Sequence, residues 1–273
     1  MVVCELKFIC QQDLPLEQAQ IVITELLDEL RYNGQIIGRE FALTLNNDEF
    51  VCHLVCPETD SMDSKYYTVD IVEILQELKE IGIAGPFTEV KGLESQSDFT
   101  DQCSKPKGYI LYSTFVQSCS PIRCSEHFMP IPLYKLPEVV RRPLIKWQES
   151  QAACDQLQMN EMTEIEAMMV EQVSNPSSQL LTQGRSILDD IQTVTGQPAY
   201  QYLYRVGGES LESEKNRRCP SCGDAWALDE SWQENKPSSE SNSWSENKTP
   251  LFGLFDFKCD NCQVLSNISW DWQ

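Results

Sequence analysis

A chain of 273 residues with 41% hydrophobic residues contains enough apolar material for one large or two ordinary globular domains. Its 42 acidic and 21 basic side chains give a formal net charge of −21, which repels phosphate backbones at long range and favours solubility or a basic protein partner. The first residues lack the basic and apolar regions of a signal peptide, and no apolar run reaches the ~18 residues of a membrane span, so we expect a cytoplasmic protein.

The first hundred residues alternate strand and helix patterns. Residues 2–11 alternate as a strand, and the stretch that follows repeats apolar residues at helical spacing until Gly34. Two strand-like runs, IIGREFALTL and DEFVCHLVC, are joined by residues 46–48, which form a hairpin signal. A second amphipathic helix, TVDIVEILQELKEIGIAG, precedes a short strand, PFTEVKGL. This β-α-β-β-α-β order predicts a ferredoxin-like α+β domain over residues 1–100, with both helices on one face of an antiparallel sheet.

The remaining residues divide into three further regions. Residues 101–137 combine the strand-like run YILYSTFV with a loop rich in cysteine and proline. Residues 138–198 form a helical region of about three helices, with breaks at Asn160 and at Asn175-Pro176. Residues 199–273 begin with the strand-like run AYQYLYRV and contain two CxxC motifs. Between these motifs, residues 229–250 are rich in Ser, Asn and Glu, so we expect a flexible insertion.

Four of the twelve cysteines form a metal-binding pattern. In a reducing compartment, a chain of this length favours metal ligation or burial over disulfides. The motifs Cys219-Pro-Ser-Cys222 and Cys259-Asp-Asn-Cys262 can each direct two thiolates at one point. Four thiolates suit tetrahedral Zn²⁺ and leave no position open for water, so the sequence predicts a structural zinc ribbon. The alternative is that four reduced cysteines pack in a core.

A weaker cluster lies in the proline-rich loop. Cys124 and His127 have the spacing of a zinc knuckle, and Cys103 and Cys119 could complete a second tetrahedral site. The alternative is a buried cysteine pair with a surface histidine. The other cysteines have no ligand spacing and are interpreted as core residues: Cys4, Cys10, Cys52, Cys56 and Cys154.

Several sequence blocks resemble a known family. They are NGQIIGREF, SPIRCSEHFMPIPLYKLP, WQESQAACDQLQM, YLYR, RRCPSCG and LFDFKCDNCQVLSNISWD. With them, nearly the whole chain resembles an uncharacterised bacterial family described as containing a zinc ribbon and proposed to bind nucleic acid. The resemblance implies that the four CxxC cysteines are the ribbon ligands. The family has CxxC where this chain has Cys124 and His127, which weakens the second site without removing it, because histidine also binds zinc.

The charge distribution favours a protein partner. Residues 1–100 carry 19 acidic and 6 basic side chains. An acidic surface accelerates encounter with a basic protein. We therefore expect a zinc-ribbon adaptor that binds a protein partner through an acidic surface, with Zn²⁺ in a structural role.

The alternative function is nucleic-acid binding by the ribbon. Its candidate contacts are Lys215, Arg217 and Arg218, with Trp226, Trp232 or Trp244 able to stack on bases. Three clustered cations in a chain of net charge −21 offer little neutralisation of phosphate, so we rank this function below protein binding. We expect the two arginines to pair with carboxylates of the chain itself. Four other aromatic residues are expected in the ribbon core: Phe255, Phe257, Trp270 and Trp272.

We expect no enzymatic activity and no small-molecule substrate. The chain has only two histidines, His53 and His127, and lacks a phosphate-binding loop, a nucleophile elbow and a dinucleotide fingerprint. Cys124 and His127 could act as nucleophile and base, but their spacing in one loop favours joint metal ligation.

Overall fold

The computed structural model describes residues 1–10, 15–160, 164–228 and 251–272. Within these ranges the protein is a mixed α+β protein with two sheets. None of the helices in the same ranges is both long and apolar enough to cross a membrane. The chain forms two compact units. The first unit contains Met1–Cys103, Val116–Ile122 and Met129–Ile145, and the second contains Ser104–Phe115, Arg123–Phe128 and Lys146–Gln273.

The first unit contains a four-stranded antiparallel sheet and two helices. Its elements are β1 (Val2–Cys10), α1 (Leu16–Tyr32), β2 (Leu43–Asn46), β3 (Glu49–Cys56), α2 (Val69–Glu80) and β4 (Ile83–Leu93). The strand order is β2-β3-β1-β4, and every neighbouring pair is antiparallel. The predicted element order β-α-β-β-α-β is confirmed. The predicted strand IIGREFALTL is shorter than expected, with only Leu43 and its successors in a ladder and Ile37 in an isolated bridge to Val55.

The core of the first unit follows from two periodicities. Alternate residues of β1 and β3 face the helices, and they include Leu6, Phe8 and Cys52, which are almost fully buried. Ile23 and Leu26 on α1 repeat at helical spacing and pack in the same cluster. Both helices therefore cover one face of the sheet, as the sequence pattern predicts.

The proline-rich segment of the first unit is fixed by close packing and a polar network. A Cβ at Gly34 would lie 2.4 Å from the Cβ of Leu133, so only glycine permits this approach. The hydroxyl of Tyr134 donates to Glu58 over 2.8 Å, and Lys135 donates to the same carboxylate over 2.7 Å. Two of the sequence blocks that carry the family resemblance therefore meet in this structural contact.

The second unit contains a five-stranded sheet with helices. Its elements are β5 (Tyr109–Leu111), β6 (Ile122–Cys124), α3 (Glu138–Asn160), α4 (Glu166–Ser174), α5 (Gln179–Thr195), β7 (Ala199–Leu203), α6 (Leu211–Lys215), β8 (Phe257–Cys259) and β9 (Val264–Ser266). Ile122 and the first residues of α3 are counted with the first unit. The strand order is β6-β5-β7-β9-β8, with β5, β7 and β9 parallel and β8 antiparallel to β9.

The three predicted helices of the middle region are confirmed. Helix α5 is preceded by the N-cap residue Ser178, whose side chain accepts from the N–H of Leu181, and is followed by the C-cap residue Gly196 in the left-handed conformation. The predicted strand YILYSTFV is reduced to the three residues of β5. The sequence patterns predict a ribbon separate from the helical region, whereas β8 and β9 join β5 and β7 in one sheet. The insertion expected at residues 229–250 lies outside the described residues.

Helix α5 packs closely on the sheet at Gly184. A Cβ at this position would lie 2.5 Å from Nε2 of Gln201 and 2.7 Å from Nε1 of Trp147. Both side-chain nitrogens donate to carbonyl groups near the start of α5, Trp147 to Leu180 over 3.0 Å and Gln201 to Leu181 over 2.9 Å. The glycine therefore allows two buried donors to reach the helix backbone.

Candidate metal centre

The four CxxC cysteines lie on two turns of the second unit. Cys259 is the last residue of β8, and Cys262 lies in the turn that leads to β9. Cys219 and Cys222 lie in the turn after α6. Each turn ends in a residue with positive φ, at Gly223 (φ 77°) in the first and at Gln263 (φ 53°) in the second. The N–H of Gly223 donates to the carbonyl of Cys219 over 2.9 Å, which closes the first turn.

The sulfur atoms have the spacing of a metal site. All four lie within 4.8 Å of one another, and those of Cys222 and Cys259 are 3.7 Å apart. A tetrahedral Zn²⁺ ion with Zn–S bonds of about 2.3 Å has sulfur–sulfur edges of about 3.8 Å. The cysteine cluster can therefore hold a metal ion, and its four thiolates would leave no position open for water.

The burial of the four cysteines is uneven. Cys219 and Cys259 are buried, Cys262 is half-buried and Cys222 is exposed. Burial and the neighbouring thiols raise the pKa of Cys262, because a thiolate there would be poorly solvated and close to other sulfurs. A divalent cation reverses this penalty, since it stabilises the thiolates that ligate it.

Aromatic and aliphatic side chains surround the buried sulfurs. The rings of Trp226 and Phe257 stack with centroids 5.1 Å apart, and both side chains are buried. They pack in one cluster with Cys219 and Cys259. The turns are therefore attached to the sheet by apolar packing as well as by any bound metal.

The predictions of which aromatic residues are exposed and which are buried are partly wrong. Trp226, a candidate for base stacking, is only 3% exposed because it packs on Phe257. Trp270 and Trp272, which were expected in the core, are 44% and 39% exposed because they lie in a terminal 3₁₀ turn. Phe255 and Phe257 are buried, as expected. Two other stacking candidates, Trp232 and Trp244, lie outside the described residues.

Arg217 is directed into the second unit. Its guanidinium donates to Ser266 Oγ over 3.1 Å and to the carbonyl of Asn267 over 3.0 Å, and it lies over the rings of Trp226 and Phe257. Burial lowers the pKa of Arg217 to about 10, against the opposing effect of Glu214. This arginine thus connects the segment before the first turn to the end of β9.

A buried carboxylate joins Arg217 to a second arginine. Glu214 on α6 is 1% exposed and accepts hydrogen bonds from Arg205. It also lies 3.7 Å from Nε of Arg217 and accepts from the N–H of Ser269 over 3.3 Å. Arg217 therefore pairs with a carboxylate of the chain itself, as expected. Arg218 and Lys215 are exposed.

Sequence patterns do not identify Glu214 and Arg205 as site residues. Glu214 lies in the polar run ESLESEK, whose composition gives no sign that one of its three glutamates is buried. Arg205 is the last residue of the block YLYR. The strand pattern of this block predicts β-structure but does not indicate a partner for the arginine. Their pairing joins α6 to the residues that follow β7, which no local pattern encodes.

The residues of the weaker cluster are divided between the units. Cys103 and Cys119 belong to the first unit and are half-buried, and the N–H of Cys103 donates to the carboxylate of Asp101 over 3.1 Å. Cys124 and His127 belong to the second unit, with Cys124 Sγ 3.7 Å from His127 Nδ1. The second metal site stays a prediction.

In the part of the chain that the structure describes, the remaining histidine and cysteines form no comparable group of ligands. His53 is exposed on β3, and its Nε2 lies 3.1 Å from a carboxylate oxygen of Glu5. Of the five cysteines expected in the core, three are buried and two are half-buried. The buried ones are Cys4, Cys52 and Cys56, and the half-buried ones are Cys10 and Cys154.

Three family models match successive parts of the chain, and each is described as a domain of unknown function. DUF8589 matches residues 1–92, DUF2310 matches residues 103–204, and DUF8594 matches residues 208–235 and 236–272. The third model covers all four CxxC cysteines, and the second covers Cys103, Cys124 and His127.

Two curated relatives come from Haemophilus influenzae, and both carry the description uncharacterized protein. One is 40% identical over 265 residues, which cover 94% of this chain and 93% of the relative. The other is 44% identical over 188 residues, which cover 67% of this chain and 82% of the relative. Among solved structures, the de novo designed protein Foldit4 is 17% identical with a TM-score of 0.21, and covers 35% of this chain and 98% of its own. That structural likeness is too slight to carry an argument.

Proposed function

Because this chain belongs to the bacterial family of the two Haemophilus influenzae proteins, over nearly the full length of one of them, we propose a function for it from its cysteine site. It is a non-enzymatic adaptor protein in which a structural Zn²⁺ ion organises a C-terminal ribbon. The first unit, with its ferredoxin-like strand order, offers an acidic surface to a basic protein partner. We place this activity in the reducing environment of the cytoplasm, where the thiols remain available to the metal.

The sulfur geometry is the observation that supports the structural role of zinc. The separation of 3.7 Å between Cys222 and Cys259 is close to the edge of a tetrahedral tetrathiolate zinc site. Because four protein thiolates fill the coordination sphere, such an ion has no position at which to activate water or substrate. It stabilises structure instead, by an amount on the order of 10 kcal/mol in comparable small sites.

Zinc content in cysteine variants tests this role. The double variant Cys259→Ser/Cys262→Ser is expected to bind one zinc ion fewer per chain than the wild type, as measured by native mass spectrometry under reducing conditions. Cys154→Ser is the matched control, since this half-buried cysteine has no ligand spacing, and its zinc content is expected to be unchanged. Equal zinc content in the double variant and the wild type would rule out the C-terminal centre.

The acidic surface that we propose for the partner lies on α2. Asp70, Glu73, Glu77 and Glu80 are exposed and are spaced so that they follow one side of the helix. No ion pair joins any of the four to a cation in the ranges that the structure describes. Val72 is 53% exposed beside them. A strip of exposed carboxylates with an apolar neighbour suits a lysine- or arginine-rich segment.

Affinity capture from bacterial cytoplasm tests the partner proposal. The wild type is expected to retain a basic protein after nuclease treatment, and the variant Asp70→Asn/Glu73→Gln/Glu77→Gln/Glu80→Gln is expected to lose it. A control variant neutralises four exposed carboxylates of the second unit: Glu171, Asp190, Glu209 and Glu212. Equal capture by both variants would remove α2 as the binding surface, and loss of all capture on nuclease treatment would favour nucleic acid.

Nucleic-acid binding is the weaker alternative. Of its three candidate cations, Arg217 donates to Ser266 and Asn267 within the second unit, which leaves Lys215 and Arg218 at the surface. Two exposed cations neutralise few phosphates, so we expect weak binding that is lost near physiological salt. Nanomolar affinity for DNA or RNA at ~0.2 M salt would reverse this ranking.

A further inference from the structure

A third turn in the second unit repeats the geometry of the two CxxC turns. Cys124 is the last residue of β6, as Cys259 is the last residue of β8. The residue after the second ligand position, Phe128, has φ 59°, comparable with 77° and 53° at Gly223 and Gln263. The N–H of Phe128 donates to the carbonyl of Cys124 over 2.9 Å, as the N–H of Gly223 does to Cys219 at the same distance.

The side chains of this turn also have ligand geometry. Cys124 Sγ and His127 Nδ1 are 3.7 Å apart, and the N–H of Glu126 donates to the same sulfur over 3.4 Å. With a Zn–S bond of about 2.3 Å and a Zn–N bond of about 2.0 Å, a tetrahedral ion separates sulfur and nitrogen by about 3.6 Å. The pair could therefore bind one ion without a large rearrangement.

Phe128 shows that the turn is held in this conformation. A bulky residue with positive φ is uncommon and costs on the order of 1 kcal/mol. Here the ring of Phe128 stacks on Phe252 with centroids 5.0 Å apart, and its carbonyl accepts from Arg123 over 3.0 Å. These contacts offset the backbone cost at Phe128 and so help to hold the turn in this conformation.

We propose that the Cys124–His127 turn is a zinc-binding knuckle and that the chain binds a second Zn²⁺ ion through Cys124 Sγ and His127 Nδ1. Cys124 is buried and His127 is exposed, so the ion lies at the protein surface. Two coordination positions remain for other ligands. A site of mixed thiolate and imidazole ligands carries less negative charge than a tetrathiolate site, so its zinc exchanges with chelators more readily.

Zinc content of loop variants tests the second site. This second ion is additional to the C-terminal Zn²⁺ ion of the proposed function. The wild type is therefore expected to bind two zinc ions per chain. Cys124→Ser and His127→Ala are each expected to bind one ion, whereas Ser125→Ala, in the same turn, keeps two. His127→Cys converts the turn to CxxC and is expected to keep both ions, which separates a ligand role from a purely structural role of the imidazole.

Cobalt spectra provide a second readout. In the Co²⁺-substituted protein, His127→Cys is expected to raise the sulfur-to-cobalt charge-transfer absorption, because it adds one thiolate, and His127→Ala is expected to lower it. One zinc ion in the wild type, retained in every loop variant and lost in Cys259→Ser/Cys262→Ser, would overturn the second site and leave the C-terminal centre intact. One ion that disappears in His127→Ala would instead support the knuckle and defeat the C-terminal centre.

Discussion

Arg217 differs from its neighbour Arg218 in its structural role. Both arginines precede the first CxxC turn, but only Arg217 is directed inward, where it contacts Glu214 and two aromatic rings. A buried charge is tolerable only when its polar partners remain in place. The position of the first turn therefore depends on this side chain.

Truncation of Arg217 is expected to destabilise the second unit. Arg217→Ala leaves the carboxylate of Glu214, with a side chain 2% exposed, without one of its two arginines. We expect a loss of about 3 kcal/mol in the free energy of unfolding. Arg218→Ala, at an exposed position, is expected to change it by less than about 0.5 kcal/mol. Urea unfolding of the two variants measures the difference, and similar losses would contradict the assigned roles.

Glu214 is expected to add a pH-dependent contribution to stability. Burial alone would raise its pKa, but hydrogen bonds from Arg205 and the charges of Arg205 and Arg217 outweigh burial, so its pKa lies below the ordinary value of 4.5. The stabilisation is therefore complete above about pH 4.5 and is lost as the pH falls through the lowered folded-state pKa. The difference in unfolding free energy between the wild type and Glu214→Gln should shrink in acid, whereas a constant difference from pH 6 to pH 3 would contradict this.

At the scale of elements, the close contact between α5 and β7 leads us to expect that a substitution which favours the helix will nevertheless destabilise the protein. Gly184→Ala should favour the helix by about 1 kcal/mol. Its Cβ would nevertheless displace the side-chain nitrogens of Trp147 and Gln201, which donate to the start of α5. We expect a net loss of about 1–2 kcal/mol in unfolding free energy. Gln183→Ala, at an exposed neighbouring position, is the control, and a stabilising effect of Gly184→Ala would show that the contact relaxes freely.

Local patterns predicted most of the helices and the order of the elements along the first unit. The apolar repeat of α1, the hairpin signal at residues 46–48 and the glycine at the end of α5 each act over a few residues, so a sequence shows them directly. The parallel pairing of β5 with β7 and of β7 with β9 joins strands separated by many residues. Such pairing depends on helices that pack across the sheet, and local sequence patterns do not show it. The sequence therefore predicts the ribbon as a separate domain.

The same limit applies to the candidate site. The CxxC spacing predicts which four sulfurs meet, because two intervening residues fix a tight turn. It cannot predict that Trp226 is buried and Trp270 exposed, since both are aromatic residues near a turn. The left-handed conformation of Phe128 is also invisible in the sequence, because that conformation is usually marked by glycine or asparagine.

For the whole molecule, metal removal is expected to affect the two units differently. Zinc chelation should raise amide hydrogen exchange in peptides that cover residues 217–228 and 251–272, because the thiolates lose the cation that joins their turns. Peptides from β1 and β3 should keep their protection, since the first unit has its own apolar core. Hydrogen-exchange mass spectrometry with and without a zinc chelator measures both effects. Unchanged exchange in the C-terminal peptides would show that the metal does not organise them.

Zinc X-ray absorption of the Cys124→Ser/His127→Ala variant tests the central claim most directly, because this variant keeps only the proposed C-terminal ion. A tetrathiolate centre formed by Cys219, Cys222, Cys259 and Cys262 predicts a shell of four sulfur atoms at about 2.3 Å from zinc. A shell of nitrogen or oxygen atoms at about 2.0 Å, or a purified variant without zinc, would contradict the account.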